Sequence, residues 1–202
     1  MRTRGLTARR KEDIEPNRSL KLNLPNEVLD VIWYIQDEFQ KPIWLLGLEG
    51  LYSLGVPFYR RPEEISIYSP ITKAERSKLD DYLRNKYETI VGRRSDRGTS
   101  YSFPHSGLLD VNRVDQYIET YYSSSAEDWK ENRLEIAKGV YVLVPRIEDL
   151  VIMKLITGRT KDLRDTRHVL RTSRSRINMS KLEIRAREAG VELKLRRLQR
   201  IV

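Results

Sequence analysis

Behind Leu24-Pro25-Asn26, the apolar residues Val28, Leu29, Ile32, Ile35 and Phe39 recur at intervals of three and four, which predicts an amphipathic helix ending before Pro42. Ile43-Trp44-Leu45-Leu46 is wholly apolar and stops at Gly47, the pattern of a short buried strand. A short helix is expected from Gly47 to Gly55, packing through Leu48, Leu51, Tyr52 and Leu54, with Gly55 and Pro57 closing it. Ile65-Ser66-Ile67-Tyr68 alternates and reads as the next strand. Thr72 with Glu75 three residues later forms a capping-box signature, so a helix should run from Lys73 to about Asn85.

Thr89–Val91 is then a candidate strand, Arg93–Gly98 a polar turn, and Thr99–Phe103 and Leu108–Val111 two further strands. Residues 112–138 are polar and aromatic with partial helical periodicity, before the strand Val140–Val144 and Pro145. Beyond Pro145 the pattern is helical. Ile147, Leu150, Val151, Lys154 and Leu155 share one face, helices follow over Lys161–Arg171 and Ser180–Ala189, and a tail from Val191 carries Leu193, Leu195 and Leu198. This order predicts an α/β (α+β) fold, a mixed sheet flanked by helices with a C-terminal helical portion. Its expected organisation is a flexible basic arm over 1–22, the α/β core over 23–145 and a basic helical region over 146–202.

Composition narrows the chemistry. The chain of 202 residues has no cysteine, which excludes disulfides, a cysteine nucleophile and thiolate metal sites, and only two histidines, which excludes a three-histidine zinc centre. No apolar run reaches the roughly 20 residues of a membrane span, and no signal-peptide stretch follows the basic Met1-Arg-Thr-Arg-Gly, so a soluble cytoplasmic protein is expected. The net charge of +9 is uneven: +4 over residues 1–23, −3 over 24–159 and +8 over 160–202. Such basic ends have two readings, contact with a polyanion or a solubilising arginine-rich surface of heat-adapted type.

Two segments carry more specific information: Leu45-Leu46-Gly47-Leu48-Glu49-Gly50 leading to Arg60-Arg61-Pro62-Glu63-Glu64-Ile65-Ser66-Ile67, and Val144-Pro145-Arg146-Ile147-Glu148-Asp149-Leu150 leading through Lys154, Gly158-Arg159 and Lys161-Asp162 to Asp165. Together, over about residues 40–170, they resemble the minimal nucleotidyltransferase superfamily, and within it the toxin-like branch of prokaryotic toxin–antitoxin and phage-defence systems. The resemblance implies a Mg²⁺-dependent transfer of a nucleotidyl group from an NTP to RNA, tRNA first, or to a protein hydroxyl. It implies Glu64 and Asp110 as metal ligands and catalytic carboxylates. Gly47, Ser66, Lys154, Arg159, Lys161 and Asp162 are implied at the nucleotide, and a cognate antitoxin as a partner. Gly47-Leu48 stands where the family has Gly-Gly or Gly-Ser, and Glu64-Ile65-Ser66 where it has Asp-x-Asp, leaving two carboxylates where three are usual. A protein of the same fold that binds nucleic acid, nucleotide or a partner without chemistry is the alternative.

The remaining candidates have plainer readings. Arg164, Arg167, Arg171, Arg174, Arg176, Lys181 and Arg185 are expected to form an exposed positive surface bordering the cleft, suited to nucleic acid. Asp162 and Asp165 could instead serve ion pairs between helices, with Arg159, Lys161, Arg164 or His168 as partners. Trp33, Tyr34 and Trp44 read as core. Tyr117, Tyr121 and Tyr122 read as packing or base-stacking residues, Arg93, Arg94 and Arg97 as a phosphate contact or a solvated turn, and His105 and Ser123-Ser124-Ser125 as loop.

Overall fold

The computed structural model describes residues 22, 24–60, 62, 64–88, 90–94, 98–104, 107–112 and 132–201. Their elements, in chain order, are α1 (Asn26–Glu38), β1 (Trp44–Leu45), α2 (Gly47–Ser53), β2 (Glu64–Tyr68), α3 (Lys73–Tyr87), β3 (Ile90–Arg94), β4 (Gly98–Phe103), β5 (Gly107–Asn112), β6 (Arg133–Ala137), β7 (Val140–Leu143), α4 (Ile147–Thr157), α5 (Thr160–Thr172), α6 (Met179–Glu188) and α7 (Glu192–Gln199). The strands form one mixed sheet in the order β3-β4-β5-β2-β1-β7-β6. β1 runs antiparallel to β2, with Trp44 opposite Tyr68, and parallel to β7; β2 runs parallel to β5, with Ser66 opposite Asp110.

The alternation of β2 sorts its side chains onto two faces. Ile65 and Ile67 join Leu45, Tyr101, Leu109, Val111 and Val142 in the core beneath α1 and α3. Tyr68 turns the other way and packs with Trp44, Leu46 and the buried residues of α2, α4, α5, α6 and α7. That second layer covers the β1–β7 half of its sheet face. The β2, β5 and β4 half of the same face carries Glu64, Ser66, Asp110 and Ser100, and this boundary between covered and polar sheet defines the site. Two independent cores on opposite sides thus hold the sheet rigid at the strands that bear these residues.

The predicted elements recur with informative differences. The capping box at Thr72 and Glu75 forms as expected, each side chain bonding the other's backbone N–H. β3 extends through Arg93 and Arg94, expected as turn, because their backbone pairs with Thr99 and Gly98 whatever their side chains. Arg133–Ala137 is a strand, not helix. Its Leu134 and Ile136 alternate onto the core, and Lys138-Gly139, with Gly139 at φ 77°, turns it into β7. Trp33 is 49% exposed and so does not belong to the core. Leu193 is likewise 70% exposed, whereas Leu195 and Leu198 are buried. Of the expected arm, Leu22 packs on the core, while residues 1–21, His105, Arg97, Ser123–Ser125 and the three tyrosines Tyr117, Tyr121 and Tyr122 lie outside the described residues.

α2 approaches β1 and α4 closely at Gly50, where a Cβ would sit 2.8 Å from the Leu45 carbonyl oxygen and 3.3 Å from the Leu150 side chain. Gly50→Ala is therefore expected to destabilise the fold by about 1–3 kcal/mol, the cost of overpacking a close-packed interior; urea denaturation of the two proteins measures the difference.

Candidate functional site

α4 supplies the site with a foundation rather than a ligand. It is buried along most of its length, so Lys154 lies at 7% exposure inside the protein. A buried ammonium needs anionic partners, and α5 provides two on its inward face. Lys154 Nζ donates to Asp165 Oδ2 at 2.8 Å and to Asp162 Oδ1 at 3.3 Å. Arg60, from the loop before β2, grips Asp165 with two nitrogens, at 2.8 and 3.3 Å. Thr157 donates to Asp162 Oδ2 at 2.9 Å. Asp162 and Asp165 are three apart and face the same side of α5 because a helix turns once in 3.6 residues.

Arg159 and Lys161 lie at the start of α5 and carry this network to the sheet. The Nε of Arg159 donates to Asp162 Oδ2 at 2.5 Å, and its NH1 stands 3.9 Å from Glu64 Oε1. Lys161 Nζ donates to the same Glu64 oxygen at 3.3 Å. On the strands, Ser66 lies between Glu64 and its neighbour Asp110, all three on one face, and Ser100 Oγ donates to Asp110 Oδ1 at 2.5 Å. Gly47 has φ 64°, and a Cβ there would lie 3.7 Å from Ser66 Oγ, so the turn from β1 into α2 runs against the same polar strip. Leu48 turns into the core at 6% exposure and leaves that strip clear.

The charges act on one another. Burial raises the pKa of Asp162, but the hydrogen bond from Arg159 and the charge of Lys154 outweigh it and hold the carboxyl below its ordinary range. Arg159 is held above its ordinary value, first by the Asp162 hydrogen bond and then by the charges of Asp162, Glu64 and Asp110, against the opposing effect of burial. Glu49, in the first turn of α2, is raised by burial.

Glu64, Ser66, Asp110, Arg159, Lys161, Asp162 and Gly47 are thus brought together, with Lys154 one layer beneath. Among the described residues no group of three or more acidic or histidine side chains is gathered for a metal. Two carboxylates with the hydroxyls of Ser66 and Ser100 are oxygen donors, the kind that Mg²⁺ takes beside phosphate and water. The parts played by Arg60 and Ser100 are not legible in the sequence alone. Arg60 sat in the Arg-Arg-Pro segment before β2, and Ser100 on the outward alternation of β4, signals too common to distinguish them.

The basic residues divide. Arg164, Arg167, Arg171 and Arg174 are exposed, at spacings of three, four and three, and make no ion pair among the described residues. Arg185 is a correction to the expected surface: its side chain is 12% exposed, directed to buried Asp149 at 3.9 Å. Lys181 is half-buried. Arg176 is exposed but its guanidinium caps the end of α2, donating to the carbonyls of Leu54 and Gly55. His168 donates from Nε2 to the Pro57 carbonyl oxygen, 2.7 Å away, and does not meet Asp165.

Comparison with known proteins gives this geometry a setting. The sequence model of a family described as nucleotidyltransferases of unknown function (DUF6036) matches residues 75–197. No curated protein matches the sequence. Among solved structures, the solution structure of the antibiotic-resistance factor ANT(2'')-Ia is similar with a TM-score of 0.51 at 16% identity, covering 87% of this chain and 97% of that one. The crystal structure of ANT(2'')-Ia in complex with adenylyl-2''-tobramycin gives 0.52 at 16% identity, covering 81% and 95%. At that identity the likeness concerns the fold, a seven-stranded mixed sheet flanked by helices.

The ion network makes a stability prediction. Lys154→Ala leaves Asp162 and Asp165 short of a buried partner and should cost about 3–5 kcal/mol. In the native protein, the depressed pKa of Asp162 contributes stability that is complete above about pH 4 and is lost as pH falls through the lower folded value. Asp162→Asn should flatten the acid limb of a thermal-melting profile taken between pH 2 and 6.

Proposed function

The chain belongs to this family of nucleotidyltransferases of unknown function, and on that premise we propose that it binds a nucleoside triphosphate over the Glu64–Asp110 strip and transfers its nucleotidyl group to a hydroxyl acceptor. The observation that carries the reading is the meeting of Glu64, Ser66 and Asp110 on one sheet face with Arg159 and Lys161 from α5. In this reading Glu64 and Asp110 would hold Mg²⁺, which when bound draws charge from the triphosphate oxygens. Arg159 and Lys161 bind phosphate, the first with its planar fork and the second as a compact charge. Gly47 leaves room against Ser66 for a phosphate. Asp110, on the strip beside Ser66, accepts the proton of the attacking hydroxyl as its oxygen bonds the α-phosphorus and the bond to the leaving pyrophosphate breaks. Lys154 works through Asp162, which it holds in place for Arg159.

The acceptor in this proposal is RNA, with tRNA the first choice. Its support is the set Arg164, Arg167, Arg171 and Arg174, four exposed side chains without carboxylate partners among the described residues, the first three on α5 and Arg174 just past its end. The toxin-like branch adds a cognate antitoxin as a partner and an expectation in bacteria: induction of the protein arrests growth, and induction of Glu64→Ala does not. A second reading has its own observation. Ser66 puts a neutral hydroxyl where a carboxylate is usual, which favours nucleotide or nucleic-acid binding without transfer.

Incubation with each α-³²P-labelled NTP, Mg²⁺ and either total tRNA, casein or tobramycin separates these. Label is expected in tRNA, reduced by about a hundredfold or more in Glu64→Ala and Asp110→Ala, the scale of losing one charge-stabilising group. Label in tobramycin or protein alone would replace the acceptor. Binding of triphosphate or tRNA with no transfer to any acceptor would establish the second reading, and binding of neither would remove both.

A further inference from the structure

Among the described residues the site above contains four carboxylates and four cations: Glu64, Asp110, Asp162 and Asp165 with Arg60, Lys154, Arg159 and Lys161. Asp165 is shared by Arg60 and Lys154, and Asp162 by Lys154 and Arg159. Glu64, at 17% side-chain exposure, is met at one oxygen by both Lys161 and Arg159. Asp110 has its Oδ1 engaged by Ser100 and adds to the field that keeps Arg159 charged. Ser66 brings no charge. Among the described residues the strip therefore has no surplus of negative charge with which to draw a divalent ion from its hydration shell, a surplus that Mg²⁺ needs because it sheds water reluctantly.

We infer that Arg159 and Lys161 occupy Glu64 in the place of a cation, closing the Glu64–Asp110 pair to divalent ions in the free protein and opening it when they turn to a polyphosphate. The inference rests on the polyphosphate site proposed above and adds its order of assembly. Both side chains are suited to the exchange. Arg159 is 50% exposed and Lys161 39% exposed, so each can leave Glu64 through solvent. Asp162 engages Arg159 through Nε at 2.5 Å and Nη2 at 3.4 Å, which leaves Nη1, turned toward Glu64, for phosphate. A metal–triphosphate complex entering the strip would supply an anion for each released cation and a cation for released Glu64, so no buried charge is left unmatched. Ser66 brings no third carboxylate to the strip, so the loaded site takes one divalent ion rather than two.

Titration of the full chain with Mn²⁺, followed by loss of the free-ion EPR signal, tests this without reference to transfer. Inorganic tripolyphosphate serves as the anionic probe, so no choice of base enters. The wild-type chain alone should bind Mn²⁺ no more tightly than Glu64→Ala does. With tripolyphosphate it should retain one ion per chain, more tightly than tripolyphosphate by itself. Arg159→Gln/Lys161→Met should bind Mn²⁺ alone at least about tenfold more tightly than wild type and should lose affinity for tripolyphosphate. Lys161→Met, which leaves the Asp162 contact of Arg159 intact, should move both constants in the same directions. Ser66→Asp should admit a second ion. Wild type that binds Mn²⁺ alone as tightly as the double variant would overturn the inference, as would two ions per wild-type chain with tripolyphosphate. Failure of nucleotidyl transfer with these metal results intact would remove the reaction and leave the closure standing.

Discussion

The placement of Lys154 between Asp162 and Asp165 governs much of what this protein can do. An ammonium at 7% exposure is tolerated only with carboxylates on it, and both come from the next helix. That requirement fixes the rotation of α5 about its axis. It sets the inward face as Asp162, Asp165, Thr166 and Val169, and so aims Arg159 and Lys161 at β2 and leaves Arg164, Arg167 and Arg171 outside. The geometry of the polar strip is in this sense decided one layer below it.

The sheet makes the complementary contribution. Parallel pairing of β2 with β5 in the register Ser66 to Asp110 places two acidic side chains from distant sequence on one face, and the apolar alternates Ile65, Ile67, Leu109 and Val111 lock that register by burial beneath α1 and α3. A slip by one residue would bury Glu64 and Asp110 and expose the apolar set, so the site and the core are specified by the same constraint.

Much of this was legible in the chain. The 3.6-residue period of α1, the capping box of α3 and the alternation at Ile65–Tyr68 each follow from local preferences that the tertiary fold did not override. The grouping of Glu64 with Ser66 and Asp110 was readable from period and resemblance together. What the sequence concealed was partnership. Arg185 looks like its exposed neighbours, yet a buried Asp149 draws it in. Lys154 reads as a phosphate ligand until Asp162 and Asp165 are seen to claim it. Arg133–Ala137 carries a mixed pattern, and only the turn at Lys138-Gly139 and the edge of β7 make it a strand. Such outcomes depend on what lies across from a residue, which no local window contains.

Residues 54–60, which follow α2, are fastened to α5 and to the turn beyond its end. Arg176 holds the Leu54 and Gly55 carbonyls, His168 the Pro57 carbonyl, Arg60 holds Asp165, and Lys161 holds Glu64. Phe58 and Tyr59 add ring contacts to His168 at 5.2 and 5.0 Å. A loop tied at this many points has no independent opening motion: to release any part of it, α5 must shift as well. Helix and loop therefore constitute one cooperative unit in the sense of local unfolding, with amide protection in residues 54–60 tracking that of α5. Ligand contacts made at the head of α5 would be felt, through the same clasp, at its far end.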